Sequence, residues 1–234
     1  MNNLNGRTAI VTGGGSGIGF AIARALAEAG VNLIIASRRR DVLEEAARKL
    51  NASGKGKAIP VVCDLRKKSD VVNLVGTAKK HFSTIDILVN NAGLGVSSTI
   101  VDCTDEEWDL VLDTNLKGVF WMTRETLPTM ISRRSGYIIN IASQAGKHGY
   151  KNAGPYCASK FGLLGFSEAL QLEVREFGII VHCLCPALVQ VPSPESEQRI
   201  NNDVLQAEDL ASTVMFLLTQ PKRIKYEDIG LYRF

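Results

Sequence analysis

Short apolar runs alternate with longer amphipathic stretches along the whole chain. The runs at 7–12 (RTAIVT), 31–37 (VNLIIAS), 57–64 (KAIPVVCD), 85–93 (IDILVNNAG), 136–143 (GYIINIAS), 179–186 (IIVHCLCP) and 227–234 (EDIGLYRF) predict strands. Between them apolar residues recur every three or four positions at 17–30, 41–53, 69–82, 104–134, 154–178 and 207–220, which predicts helices. The strands are continuous apolar runs rather than alternating ones, as expected where both faces are buried. The predicted fold class is therefore α/β: a doubly wound parallel sheet of seven strands with helices on both faces. Neither a linker nor a repeat divides it, so 1–234 reads as a single domain. The stretch 187–206 contains Pro192 and Pro194 among polar residues and reads as either a short substrate lid or a long connection.

The turn between the first strand and first helix is TGGGSGIG (12–19). Glycines at 13, 17 and 19 tolerate positive φ and let an anion come close to the backbone, and a helix start offers N–H groups and a favourable dipole. Such a cluster also occurs as a tight turn and nothing more; its place after the very first strand of a doubly wound pattern favours a Rossmann-type dinucleotide site. Gly13, Gly15, Ser16, Gly17, Ile18 and Gly19 are its expected phosphate surface. NAD-binding folds of this kind carry an acid at the end of the second strand. Here that place reads ASRRR, with no acid before Asp41. A hydroxyl and guanidiniums attract a 2′-phosphate that a carboxylate would repel. Ser37 and Arg38, with Arg39 as a helper, therefore point to NADP(H) over NAD(H), the bland alternative being a solvated basic turn.

Composition narrows the picture little further. Hydrophobic residues are 45%, charged residues 22% and the net charge is +3, too small to argue for nucleic acid or a membrane surface. No apolar run approaches the length of a membrane span, and the start has no signal-peptide pattern. Cysteines are odd in number, five, without a CxxC, and the three histidines do not cluster, so reduced thiols in a cytoplasmic protein are expected and no metal.

Candidate chemistry lies in YCASK (156–160). On a helix, Tyr156 and Lys160 share a face. An ammonium about 4 Å from a phenol, at an effective dielectric near 20, attracts the phenolate by up to about 4 kcal/mol, enough to lower its pKa by about three units before desolvation is subtracted. Alone, the pair is as readily coincidence. Together with the TGxxxGxG loop, Asp64-Leu65 after the third strand, NNAG (90–93), Asn115 in DTNLKGVF and Ser143 thirteen residues before Tyr156, it resembles the classical short-chain dehydrogenase/reductase family over nearly the whole chain. The resemblance implies that Ser143, Tyr156, Lys160 and Asn115 are catalytic, with Ser143 and Tyr156 on the substrate. Lys160 would also bind the nicotinamide ribose, and Asn115 would support a water linking Lys160 to solvent. Asp64 and Leu65 would contact the adenine, while Asn90, Ala92 and Gly93 would pack along the cofactor. The expected activity is reversible NADP-dependent reduction of a carbonyl to an alcohol, as in 3-oxoacyl-carrier-protein reductases, on a thioester or small ketone. The expected assembly is a homotetramer or dimer, pairing through helices 104–134 and 154–178.

The chain departs from the family after the sixth strand, at Pro186-Ala187-Leu188-Val189-Gln190-Val191. Alanine replaces the usual glycine and valine the usual threonine. Backbone groups at Pro186 and Val189 still offer contacts to the nicotinamide amide, while one lost side-chain hydrogen bond costs about 1 kcal/mol. A more open pocket is expected. His148 and Tyr150 are either pocket-lining or surface residues. The competing function is a dinucleotide-sensing regulator without turnover, which would be expected to lack the proton-transfer residues that are present here.

Overall fold

The computed structural model describes residues 3–191, 203–224, 226 and 229–233. Its strands are β1 (Thr8–Thr12), β2 (Asn32–Ser37), β3 (Ala58–Val62), β4 (Ile87–Asn90), β5 (Gly136–Ile141), β6 (Ile179–Pro186), β7 (Val189–Gln190), β8 (Leu205–Gln206) and β9 (Ile229–Leu231). Its helices are α1 (Gly17–Glu28), α2 (Arg40–Ser53), α3 (Lys68–Phe82), α4 (Asp105–Leu112), α5 (Gly118–Arg133), α6 (Gly154–Val174) and α7 (Ala207–Thr219). Seven strands form one parallel sheet in the order β3-β2-β1-β4-β5-β6-β9, as the apolar pattern predicts. The short β7 and β8 pair with each other, tying 189–190 to 205–206 across part of the expected lid; residues 192–202 lie outside the described residues.

Both faces of the sheet are covered. Ala9 and Val11 of β1 pack into a core with Ile22 and Leu26 of α1, Leu50 of α2 and Val214 of α7. Ile10 faces the opposite way, into a core with Leu74 of α3, Met122 of α5 and Leu170 of α6. Burying one such Ile or Leu is worth about 1.5–3 kcal/mol, so the pattern specifies both layers at once. Several polar groups of this interior are linked in a chain, although Asn90 Oδ1 and Thr126 Oγ1 are buried without a partner. Asn90 donates to Asn140 (2.9 Å), Asn140 to Ser167 (2.8 Å) and Ser167 to the Leu163 carbonyl (2.6 Å), a ladder that fixes α6 across β4 and β5.

The predicted continuous helix 104–134 is broken. Thr104 caps α4 in a reciprocal box with Glu107 (3.2 and 3.3 Å), but residues Asp113–Lys117 widen into a π-turn before α5 begins. The cause is tertiary. The side chain of Asn115, buried in that turn, both donates to the Leu94 carbonyl (2.8 Å) and accepts from the Leu94 N–H (2.9 Å). A π-turn inside a helix frequently marks a functional site.

The sheet order reverses between β1 and β4, and a crevice opens at their C-terminal ends, where ligands bind in folds of this kind. The opposite end is closed by Asp86, whose carboxylate accepts from the Thr8 N–H (2.9 Å) and from Arg133 (2.6 Å). Arg133 is nearly half exposed, which weakens the ion pair, but the Thr8 N–H is buried. Asp86→Ala is therefore expected to destabilise the fold by about 2 kcal/mol, most of it from the orphaned N–H; urea unfolding checks it.

Candidate active site

The crevice begins where β1 runs into the glycine turn. Gly13 and Gly17 have φ of +67° and +54°, which L side chains rarely adopt. Space is short as well: a Cβ on Gly13 would lie 2.7 Å from Asn91 Nδ2, and one on Gly17 would run into Val191. Thr12 and Asn91 hold this turn against the end of β4. Thr12 Oγ1 accepts from the N–H groups of Asn91 (3.0 Å) and Ala92 (3.1 Å), and Asn91 Nδ2 donates back to the Thr12 carbonyl (3.0 Å). Ser16 stands at the N-cap of α1 without a side-chain cap, leaving the helix start to face an anion.

A cavity of about 380 Å³ lies over this turn. Gly13, Ser16, Gly17 and Ile18 line one side, Ser37, Arg38 and Arg39 the next, and Asp64, Leu65, Ala92 and Gly93 the rest. The Asp64 carboxylate is gripped by Arg66 in a fork (2.5–3.1 Å), whose hydrogen bonds hold its pKa down at about 2. Three expected cofactor residues stand apart from this surface. Gly15 backs onto Ser37 and Leu43, Gly19 packs behind the turn against the Gly13 carbonyl and Asn91, and the Asn90 side chain belongs to the buried ladder. Asn91 takes the lining position, along with Cys63, Leu94 and Thr114, which the sequence reading passed over. Burial next to Asp70 and Asp64 pushes the Cys63 thiol up to about 12, which disfavours its thiolate. All five cysteines are free, and among the described residues no group of His, Cys, Asp and Glu could hold a metal ion.

The crevice continues into a second cavity of about 680 Å³, sharing Ile18, Asn91, Gly93, Leu94 and Val191 with the first. Ser143, Tyr156 and Lys160 converge on it, from the end of β5 and from α6, and Pro186 and Val189 also line it. Pro155 lies in the first turn of α6, directly before Tyr156. Ser143 Oγ accepts from the Ala145 N–H (3.1 Å), which leaves its own hydrogen free to donate. Lys160 is buried, and its ammonium donates to the Ile141 carbonyl at the sheet edge (2.8 Å), 5.6 Å from the centroid of the Tyr156 ring. Asn115 underpins them: its amide also donates to Ser159 Oγ (3.0 Å), so its side chain is fully committed to Leu94 and Ser159. Tyr150 lines the cavity and His148 does not. Gln144, missed in the sequence, is buried in its wall, donating to the Cys185 carbonyl (2.5 Å) and accepting from Tyr232 (2.7 Å).

The expected acidification of Tyr156 by Lys160 is not what this arrangement produces. Burial raises the phenol pKa above its ordinary value, and a hydrogen bond with Ser143 offsets that in part. The ammonium sits over the ring and is docked on a carbonyl, and burial lowers its own pKa to about 8. Desolvation thus disfavours both charged forms.

The fold and site together define an oxidoreductase of the dinucleotide-fold class. Comparison with known proteins makes this specific. The short chain dehydrogenase family pattern matches residues 7–201. An uncharacterized oxidoreductase of Staphylococcus aureus is 35% identical over 229 residues, 98% of each chain. Among solved structures, a variant of actinorhodin polyketide ketoreductase with NADPH superposes with a TM-score of 0.88 at 31% identity, over 99% of this chain and 97% of that one. A metagenomic short-chain oxidoreductase in complex with NADP gives 0.86 at 30% identity over 99% of both. The chain belongs to the short-chain dehydrogenase family.

Lys160 also has a signature in stability. Its folded-state pKa is depressed from the usual 10.5 to about 8, so between those values the unfolded chain holds a proton that the folded chain has released. The contribution of this residue to stability rises with pH through that window. Lys160→Met is expected to remove that rise, read as a smaller increase in the urea midpoint from pH 8 to pH 10 than the parent chain shows.

Proposed function

We propose that this protein is an NADP-dependent carbonyl reductase, interconverting a ketone or 3-oxoacyl thioester and its alcohol. The observation that carries the reading is the continuity of the two cavities: the glycine turn and Arg38 open on one end, and Ser143, Tyr156 and Lys160 on the other. The close-packed glycines fit a dinucleotide, since a side chain at Gly13 or Gly17 would collide with Asn91 or Val191 and distort the turn that lines the cavity. Ser37, Arg38 and Arg39 on its rim, without an acid on β2, suit a 2′-phosphate. The NADPH and NADP bound by the solved relatives support the same reading.

When bound, the nicotinamide cofactor supplies the hydride. The protein supplies the rest. Ser143 and Tyr156 both donate to the carbonyl oxygen, which withdraws electron density from its carbon. Tyr156 then transfers its proton to that oxygen, completing the alcohol. Its raised pKa keeps the phenol protonated at neutral pH, ready to donate. Lys160 returns a proton to the phenolate, and the widened turn at Asn115 is the proposed seat of a water linking Lys160 to solvent. In the reverse direction Tyr156 must start deprotonated, so alcohol oxidation gains with rising pH. Segment 187–206 would act as the lid. Assembly is proposed on the same footing: Trp108, Phe120 and Phe161 are exposed on α4, α5 and α6, the faces through which the resemblance implies a homo-oligomer.

Two substitutions test the reading. Tyr156→Phe is expected to reduce carbonyl-dependent NADPH oxidation by about a hundredfold or more while leaving NADPH affinity within a few-fold; unchanged turnover would refute Tyr156 as the acid. Arg38→Ala is expected to raise the KM for NADPH by about 10- to 100-fold, the worth of a charge-assisted hydrogen bond, with little effect on NADH. Equal losses for both nucleotides would remove Arg38 from 2′-phosphate recognition.

A further inference from the structure

The wall of the second cavity has an uneven polarity. Its hydrogen-bonding groups include Ser143, Tyr156 and Lys160. Leu94, Val96, Tyr150, Leu188 and Val189 give the rest of the lining an apolar character. Lys160 is the only charged side chain among the described lining residues, and its ammonium is already docked on the Ile141 carbonyl. The one buried amide in the wall, Gln144, is engaged at both ends by Cys185 and Tyr232. At the mouth, Tyr150 and Leu188 leave 53% and 74% of their surface to solvent, an apolar rim left open by the described residues for most of its area.

From this we infer that the site takes a neutral carbonyl compound with an apolar body, its carbonyl against Ser143 and Tyr156 and its hydrocarbon or aromatic part between Tyr150 and the Leu94–Leu188 side. The inference rests on the proposed carbonyl-reductase function and narrows its substrate class: keto acids and keto phosphates are excluded. A carboxylate drawn into this cavity would leave water without meeting a free cation among the described residues, which is strongly unfavourable in proteins. A flat apolar body would instead cover the exposed rim and gain by its burial. The volume, about 680 Å³, is in the range of cavities that enclose small organic ligands. The step balances as hydride to the carbonyl carbon and a proton from Tyr156 to its oxygen, giving the alcohol and the oxidised nucleotide.

The test is a matched pair at pH 7, methyl 4-acetylbenzoate and 4-acetylbenzoate, which place the same aryl ketone on a neutral or an anionic body. With NADPH-loaded protein, kcat/KM for the ester is expected to exceed that for the acid by about 100-fold, and calorimetric titration is expected to show binding of the ester alone at millimolar concentration. Leu188→Arg, on an exposed position of the rim, is expected to cut this preference at least about tenfold by giving the carboxylate a partner. An acid turned over or bound within about threefold of the ester overturns the inference, as does binding of neither, and an unmoved ratio in Leu188→Arg overturns the assignment of that wall to the substrate body. The function itself is tested separately: if the ester binds in preference to the acid but is never reduced, the carbonyl-reductase reading fails and the pocket assignment stands.

Discussion

A sheet covered on both faces has only its strand ends at which to present polar groups to a ligand. That constraint organises the molecule. Every strand from β1 to β6 is packed between two helical layers, and their C-terminal ends deliver, in turn, the glycine turn, Ser37, Asp64, Asn91 and Ser143 to one edge. The reversal of strand order between β1 and β4 leaves that edge open, and the Thr12–Asn91 bonds keep it from collapsing or spreading. The chemistry is therefore a property of where the core stops.

Lys160 shows the cost of working at that boundary. Its ammonium is out of water, and a single sheet-edge carbonyl compensates it. Tyr156 suffers the same desolvation from the other side of the acid–base scale, so the pair does not act as a ready-made ion pair. It holds a neutral phenol beside a cation that is only moderately basic. Burial therefore holds the phenol protonated at neutral pH and leaves the ammonium nearer to its own titration.

Much of this was legible in the sequence. Continuous apolar runs announced a doubly covered sheet, and turn glycines with a basic end to the second strand marked the crevice and its rim. What escaped was whatever depends on contacts between distant segments. The π-turn at Asn115 arises from bonds to Leu94, and periodicity alone reads straight through it as helix. Of the two asparagines of NNAG, Asn90 goes to the interior ladder and Asn91 to the crevice, because a strand alternates its faces just as it ends. Gly15 looks like its neighbours in the string, yet its backbone turns toward β2. The Gln144–Tyr232 bond spans 88 residues and has no local signature at all. The desolvation that outweighs Lys160 at Tyr156 is illegible for a related reason: spacing fixes which groups are near, but burial decides which charge they prefer.

Val191 closes the account. It packs on Gly17 at the anion-facing turn and borders both cavities. A replacement there reshapes two compartments together, so neither can be retuned alone at this position. Its side chain is one partition shared by two spaces.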